Sequence, residues 1–186
     1  MRYSFDLKYL IDCSVAEAVA AYLDCEHYVH LHKKYLGSYR VISQYGFQID
    51  IEQSWVLAGL KLGNRCITEY CPPATFINKC IRPIPKYLPS IHHLIQTRTE
   101  LHYYLDKNQT STVSHLKVDL EIPFYLWPIR RLLENSIKRL KIEKDMEDVE
   151  MIERQQKVFG RGNLKRYTRK DVFMLHKDTF IKCFNL

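Results

Sequence analysis

From Tyr39 to Pro123 the chain alternates between inward and outward character. Six stretches carry β-branched or aromatic residues at every second position: SYRVISQYG, FQIDIEQSWVLAG, NRCITEYCPP, TFINKCI, IQTRTELHYYLD and TSTVSHLKVDLEIP. Period two sends successive side chains to opposite faces of a pleat, so each stretch reads as a strand. Turn formers separate them, with a tight turn expected at Gly46 and another at DKNQ, 106–109. IRPIPKYLPSIHH holds three prolines. Proline cannot donate to a ladder, so this segment reads as a loop, placed to act as a lid.

The flanks change period. YSFDLKYLID carries Tyr3, Phe5, Leu7 and Tyr9 at period two and reads as an opening strand. In CSVAEAVAAYLD, Ser14 stands three residues before Glu17, a capping-box pattern that starts a helix expected to run to about residue 30. Beyond Pro123, Leu126, Ile129, Leu133, Ile137 and Leu140 recur at helical spacing, and Met146, Val149 and Ile152 continue the stripe. One long helix is expected over roughly 126–158, with Pro128 in its first turn and GRGN stopping it. RKDVFMLHKDTFIKCF reads as a short amphipathic helix or a strand, with the helix preferred. The order predicts a single α+β domain over 1–186, a curved antiparallel sheet gripping a long C-terminal helix. That arrangement encloses an elongated cavity suited to an apolar ligand.

Composition limits the partners. The net charge of +7 suits an acidic protein, nucleic acid or an anionic membrane surface, but no nucleic-acid-binding signature accompanies it. No nucleic acid is therefore expected, and peripheral membrane contact stays open. No apolar run reaches the ~20 residues that span a bilayer. Arg2, Asp6 and Lys8 interrupt the N-terminus, which lacks the apolar core of a signal peptide. Six cysteines without a CxxC pattern fit free thiols in a reducing cytoplasm.

The stretch DCEHYVHLH, 24–32, concentrates metal-ligand chemistry. Two imidazoles and a carboxylate on one side of an ion leave positions open for oxygen or water. Asp24 and His27 share a helical face. His27 and His32 converge only if the helix ends between them, and His30 competes with His27. Glu147 and Glu150 point away from the apolar stripe of the long helix, whereas Asp148 lies beside it. A carboxylate aimed toward a core needs a metal, Arg or Lys as partner. The plain alternative is a polar helix end in one place and a wide polar face in the other.

These residues carry a resemblance. Asp24, His27 and His32 form D-x2-H-x4-H, which resembles the mononuclear-iron motif of Rieske-type aromatic-ring-hydroxylating oxygenases, and EDVEMIERQQ resembles their C-terminal helix. The branch in view includes pheophorbide a oxygenase and vanillate O-demethylase. The resemblance implies a START-like helix-grip fold, Fe(II) held by His27, His32 and Asp148, and Asp24 hydrogen-bonding a ligand histidine toward an electron source. The chain departs from the family in one respect: Cys25-Glu26-His27 is a Cys-x-His, but no Cys-x2-His follows, so no Rieske cluster is expected here. Electrons would come from a separate Rieske protein or ferredoxin.

Three functions are therefore expected in turn. The first is a stand-alone non-haem iron oxygenase acting on a hydrophobic cyclic substrate. The second is a non-enzymatic START-like carrier of a lipophilic ligand, with tyrosines, Trp55 and Trp127 as candidate lining. The third is a hydrolase using Zn(II) at the same ligands, for which no separate general base is evident. His92 and His93 read as loop residues, and His102 and His115 as strand histidines.

Overall fold

Each alternating stretch is a strand, and the seven strands join in one antiparallel sheet. The computed structural model describes residues 1–24, 31–32, 36–57, 60–83 and 96–186, with side chains at all of these except 55–57, 60–62 and 81–83. The strands are β1 (Arg2–Ile11), β2 (Leu36–Tyr45), β3 (Gln48–Leu57), β4 (Leu60–Cys71), β5 (Thr75–Pro83), β6 (Gln96–Leu105) and β7 (Thr112–Glu121). Their spatial order is β1-β7-β6-β5-β4-β3-β2. Strands β2 to β7 thus form a continuous meander, and β1 returns to pair with β7. Register shifts interrupt β2 between Leu36 and Ser38 and between Val41 and Ser43. Among the described residues β5 and β6 match Thr75–Lys79 with Arg98–His102, whereas β6 pairs with β7 from Gln96 through Leu105. Much of the expected lid segment, 84–93, lies outside the described residues.

The first helix, α1 (Val15–Leu23), begins with the expected capping box: Ser14 Oγ accepts from Glu17 N at 3.2 Å, and Glu17 Oε2 accepts from Ser14 N at 2.8 Å. It ends at Asp24, shorter than the expected run to about residue 30, whose remainder lies outside the described residues. A 3-10 helix, Phe124–Ile129, precedes α2 (Arg130–Phe159), so the long helix starts later than its apolar stripe suggests. Pro128 sits inside the 3-10 turn. Gly160, at φ 86, caps α2 in a backbone region that side-chain-bearing residues avoid. Two short helices follow, α3 (Lys165–Thr168) and α4 (Lys177–Phe184). The final segment is helical only from Lys177, because His176 adopts a left-handed conformation at the helix start.

The helix α2 lies over the inner face of the sheet. Leu133, Ile137, Val149 and Ile152 pack on the core, as their spacing predicts. Met146 does not: it is 61% exposed, and Ile129 is 42% exposed. The inward position one residue earlier belongs to Asp145, at 4% exposure. Asp145, Val149 and Ile152 are spaced i, i+4, i+7 and share a face, which turns Met146 to solvent. The core beneath includes Phe5, Leu101, Val118, Phe76 and Tyr70, with Tyr22 of α1 stacked on Phe76 at 3.9 Å between centroids.

Candidate functional site

Inward side chains of the sheet and the underside of α2 do not meet everywhere. They enclose a cavity of about 350 Å³. Its floor comes from alternate residues: Ile49, Ile51 and Gln53 on β3; Asn64, Cys66 and Thr68 on β4; Asn78 and Cys80 on β5; Thr97, Thr99 and Leu101 on β6; Leu116 and Val118 on β7. Its roof is Ile137, Leu140, Lys141 and Lys144 of α2, and Tyr22, Tyr39 and Leu175 close the sides. Trp127 was a sequence candidate for the lining, but it packs edge-on against Tyr3 at 5.9 Å, under Arg130, away from the cavity. The Trp55 side chain lies outside the described residues.

The polar groups of the cavity fall into two sets. Asn78 is fully engaged. Its Oδ1 accepts from Thr68 Oγ1 at 2.5 Å, and its Nδ2 donates to Tyr22 OH at 2.9 Å and to Thr99 Oγ1 at 3.3 Å. Asn64 is 4% exposed and donates only weakly, from Nδ2 to Cys80 Sγ at 3.8 Å, while its Oδ1 accepts nothing among the described residues. Cys66 and Cys80 face each other across β4 and β5. Their mutual hydrogen bond, together with burial, pushes the Cys66 thiol far above its usual range. On the roof, burial and the charge of Lys144 push Lys141 well below the ordinary ammonium value, against the pull of Asp148. Burial and then Asp148 push Asp145 up. Lys141 nonetheless donates directly to Asp145, one turn along the helix.

Beside this roof lies the cluster drawn from the histidine motif. His32 is fully buried. Its Nε2 lies 3.0 Å from Asp148 Oδ1, and its Nδ1 lies 2.8 Å from Glu147 Oε2. The early segment and the late helix therefore do converge at His32 and Asp148. Glu147 had been expected to point outward, but it holds the other edge of the ring. Asp24 is buried and accepts from Arg166 Nη2 of α3 at 2.7 Å, a partner that the motif did not reveal. His27, His30 and Cys25 lie outside the described residues, as do His92 and His93. Among the described residues no three His, Cys, Asp or Glu side chains are grouped as a metal site requires. His102 bonds Thr75 and Glu100, and His115 approaches Asp6 at 3.6 Å, as strand histidines would. The described cysteines, Cys13, Cys66, Cys71, Cys80 and Cys183, are free thiols.

The arrangement of sheet, roof helix and cavity recurs in solved structures. The Zhui aromatase/cyclase from Streptomyces superposes with a TM-score of 0.66 at 9% identity, covering 85% of this chain and 96% of its own. The fold is the helix grip of START-like proteins. Another helix-grip match is the major latex-like protein of Panax ginseng, with a TM-score of 0.60, 8% identity, and coverage of 78% and 95%. A third is norcoclaurine synthase of Thalictrum flavum, solved in complex with dopamine and hydroxybenzaldehyde, at 0.57, 11%, 77% and 88%. No protein-family model matches the sequence, and comparison with curated proteins gives no match. At these identities the helix-grip likeness is one of fold. No helix among the described residues is long and apolar enough to cross a membrane.

Proposed function

We propose that this helix-grip chain binds a hydrophobic small molecule between the sheet and α2. The observation that carries the reading is the cavity itself: about 350 Å³, walled mainly by Ile, Leu, Val and Tyr, at the place where a closed core would stand. Native interiors seldom leave such a space, and pockets of this size and character take small apolar ligands. The aromatase/cyclase and norcoclaurine synthase likenesses support it, since the synthase is solved with two aromatic compounds. The test is titration with the neutral fluorophore N-phenylnaphthylamine, and mass spectrometry of an organic-solvent extract of the purified protein. Saturable binding is expected in the wild type. It should be lost in Leu116→Trp, which fills the cavity, with the circular dichroism spectrum unchanged. Absence of saturable binding by the wild type would refute the reading.

The contact of His32 with Asp148 supports a second reading, a metal centre. The donor set fits as far as it is described. His32 Nε2 and Asp148 Oδ1 would ligate, and Glu147 on Nδ1 would fix the ring, the usual role of a carboxylate behind a metal-bound histidine. His27 would be the third ligand implied by the oxygenase resemblance. Bound Fe(II) would supply open coordination positions for oxygen, and Zn(II) a polarised water. An oxygenase of this kind would draw electrons from a Rieske protein or ferredoxin. Metal content after anaerobic Fe(II) or Zn(II) loading tests it: wild type should retain one ion, and Asp148→Ala and His27→Ala none. Metal-free wild type would remove this reading and leave the ligand cavity untouched.

A further inference from the structure

A patch at one end of the molecule has no role in the cavity. Phe124 is 78% exposed, Leu132 64%, Met1 60% and Tyr125 54%. Ile129 is also exposed. The N-terminal amine donates to Ile122 O at 2.7 Å, tying Met1 to the start of the 3-10 helix, and that helix runs directly into α2, so these residues fall at one end of the fold. Phe124 and Tyr125 stand edge to face at 5.6 Å, covering each other and little else. Scattered exposed apolar residues are ordinary, but five gathered at one end mark a contact surface.

Charge accompanies them. Arg130 and Arg131 lie between Ile129 and Leu132, and among the described residues neither forms an ion pair. Arg130 donates to Trp127 O at 3.0 Å, and its guanidinium lies 4.7 Å from the centre of the Trp127 ring. Arg131 is exposed and feels the Glu134 carboxylate only at longer range, since Lys138 and Tyr3 hold that carboxylate, so its charge in particular stays available. Apolar tips, Tyr and Trp at the border, and arginines that can reach past them make the composition of an interfacial anchor. We propose that this end, Met1 with Phe124 to Leu132, docks on a phospholipid bilayer containing anionic lipid. Phe124, Tyr125 and Leu132 would enter the headgroup boundary, and Arg130 and Arg131 would meet lipid phosphates. A second copy of the chain is the poorer occupant, because a two-fold contact through this patch sets arginines against arginines.

The test is sedimentation with vesicles of phosphatidylcholine alone and of phosphatidylcholine with phosphatidylglycerol. Wild type should bind the mixed vesicles, and about fivefold less lipid-bound protein is expected for each arginine neutralised. Arg131→Gln should show that loss, and raised salt should mimic it. Phe124→Ser with Leu132→Ser should reduce binding more than tenfold, in proportion to apolar surface withdrawn from the bilayer. All of these residues are exposed, so the melting temperature should not move, and binding of N-phenylnaphthylamine in the cavity should persist. Equal sedimentation of wild type and the double variant would overturn the proposal. So would a concentration-dependent dimer in size-exclusion chromatography that the double variant abolishes.

Discussion

Replacing Glu17 with alanine should loosen the junction of α1 and α2 more than any surface substitution. Glu17 is 8% exposed, and its carboxylate accepts four hydrogen bonds: from Ser14 N at 2.8 Å, Ser14 Oγ at 2.9 Å, Gly162 N at 3.0 Å and Gln156 Nε2 at 3.2 Å. The two from Ser14 hold the N-cap, the one from its N–H closing the capping box together with Glu17 N on Ser14 Oγ, worth about 1 kcal/mol. The other two tie α1 to the end of α2 and the turn beyond it. Hydrogen bonds to a charged acceptor contribute about 1.5–3 kcal/mol each, and neighbouring losses do not add fully. A loss of about 3 kcal/mol is expected for Glu17→Ala, read by urea unfolding with an unchanged m-value. In melting temperature this is about 6–12 °C for a chain of this size. Acid gives an independent check. Burial pushes the Glu17 carboxyl up, but its hydrogen bonds outweigh burial and leave it below the ordinary 4.5. The group therefore contributes stability above pH 4.5 that disappears as pH falls through its lower folded value. Glu17→Gln should flatten that part of the acid limb. A loss under about 1 kcal/mol in Glu17→Ala, or an acid limb unchanged in Glu17→Gln, would refute this account.

Three further outcomes are expected. Burial holds the His176 imidazole below its ordinary 6.5, so the unfolded chain binds more protons and stability should fall as pH drops below 6.5; His176→Phe should remove that share of the slope in urea unfolding compared between neutral and mildly acid pH. Asp145→Leu alone should cost about 2–4 kcal/mol by leaving Lys141 without its carboxylate, whereas the double variant Lys141→Met, Asp145→Leu should be at least as stable as wild type. Asn64→Leu should keep or raise the melting temperature, because it removes a buried acceptor that meets no donor among the described residues, a deficit of about 1–3 kcal/mol.

The sheet was legible because its residues obey a local rule. Phe5, Ile49, Leu101 and Val118 alternate with polar neighbours, and Gly46 turns at positive φ where a turn was expected. The capping box was legible for the same reason, since Ser14 and Glu17 meet within one helical turn. The roof of the cavity was less so. Over the thirty residues of α2 the inward face shifts from aliphatic to charged, at Lys141, Lys144, Asp145 and Asp148, and hydrophobic counting then favours Met146. Asp148 was identified as inward, yet Glu147 beside it also reached His32, because a long side chain at the border of a face can turn either way. The Asp24–Arg166 pair and the unequal fates of Asn64 and Asn78 depend on residues far apart in the chain. Spacing carries no trace of such partners.

The sheet is two plates joined by a short seam. Among the described residues β6 and β7 are laced along ten residue pairs and β3 and β4 along ten, but five join β5 to β6. Opening free energy follows the number of bonds that must part together, so amide exchange across Thr75–Lys79 is expected to be faster than within β3 and β4. The cavity spans both plates, with Asn78 and Cys80 on one side of the seam and Thr97 and Thr99 on the other.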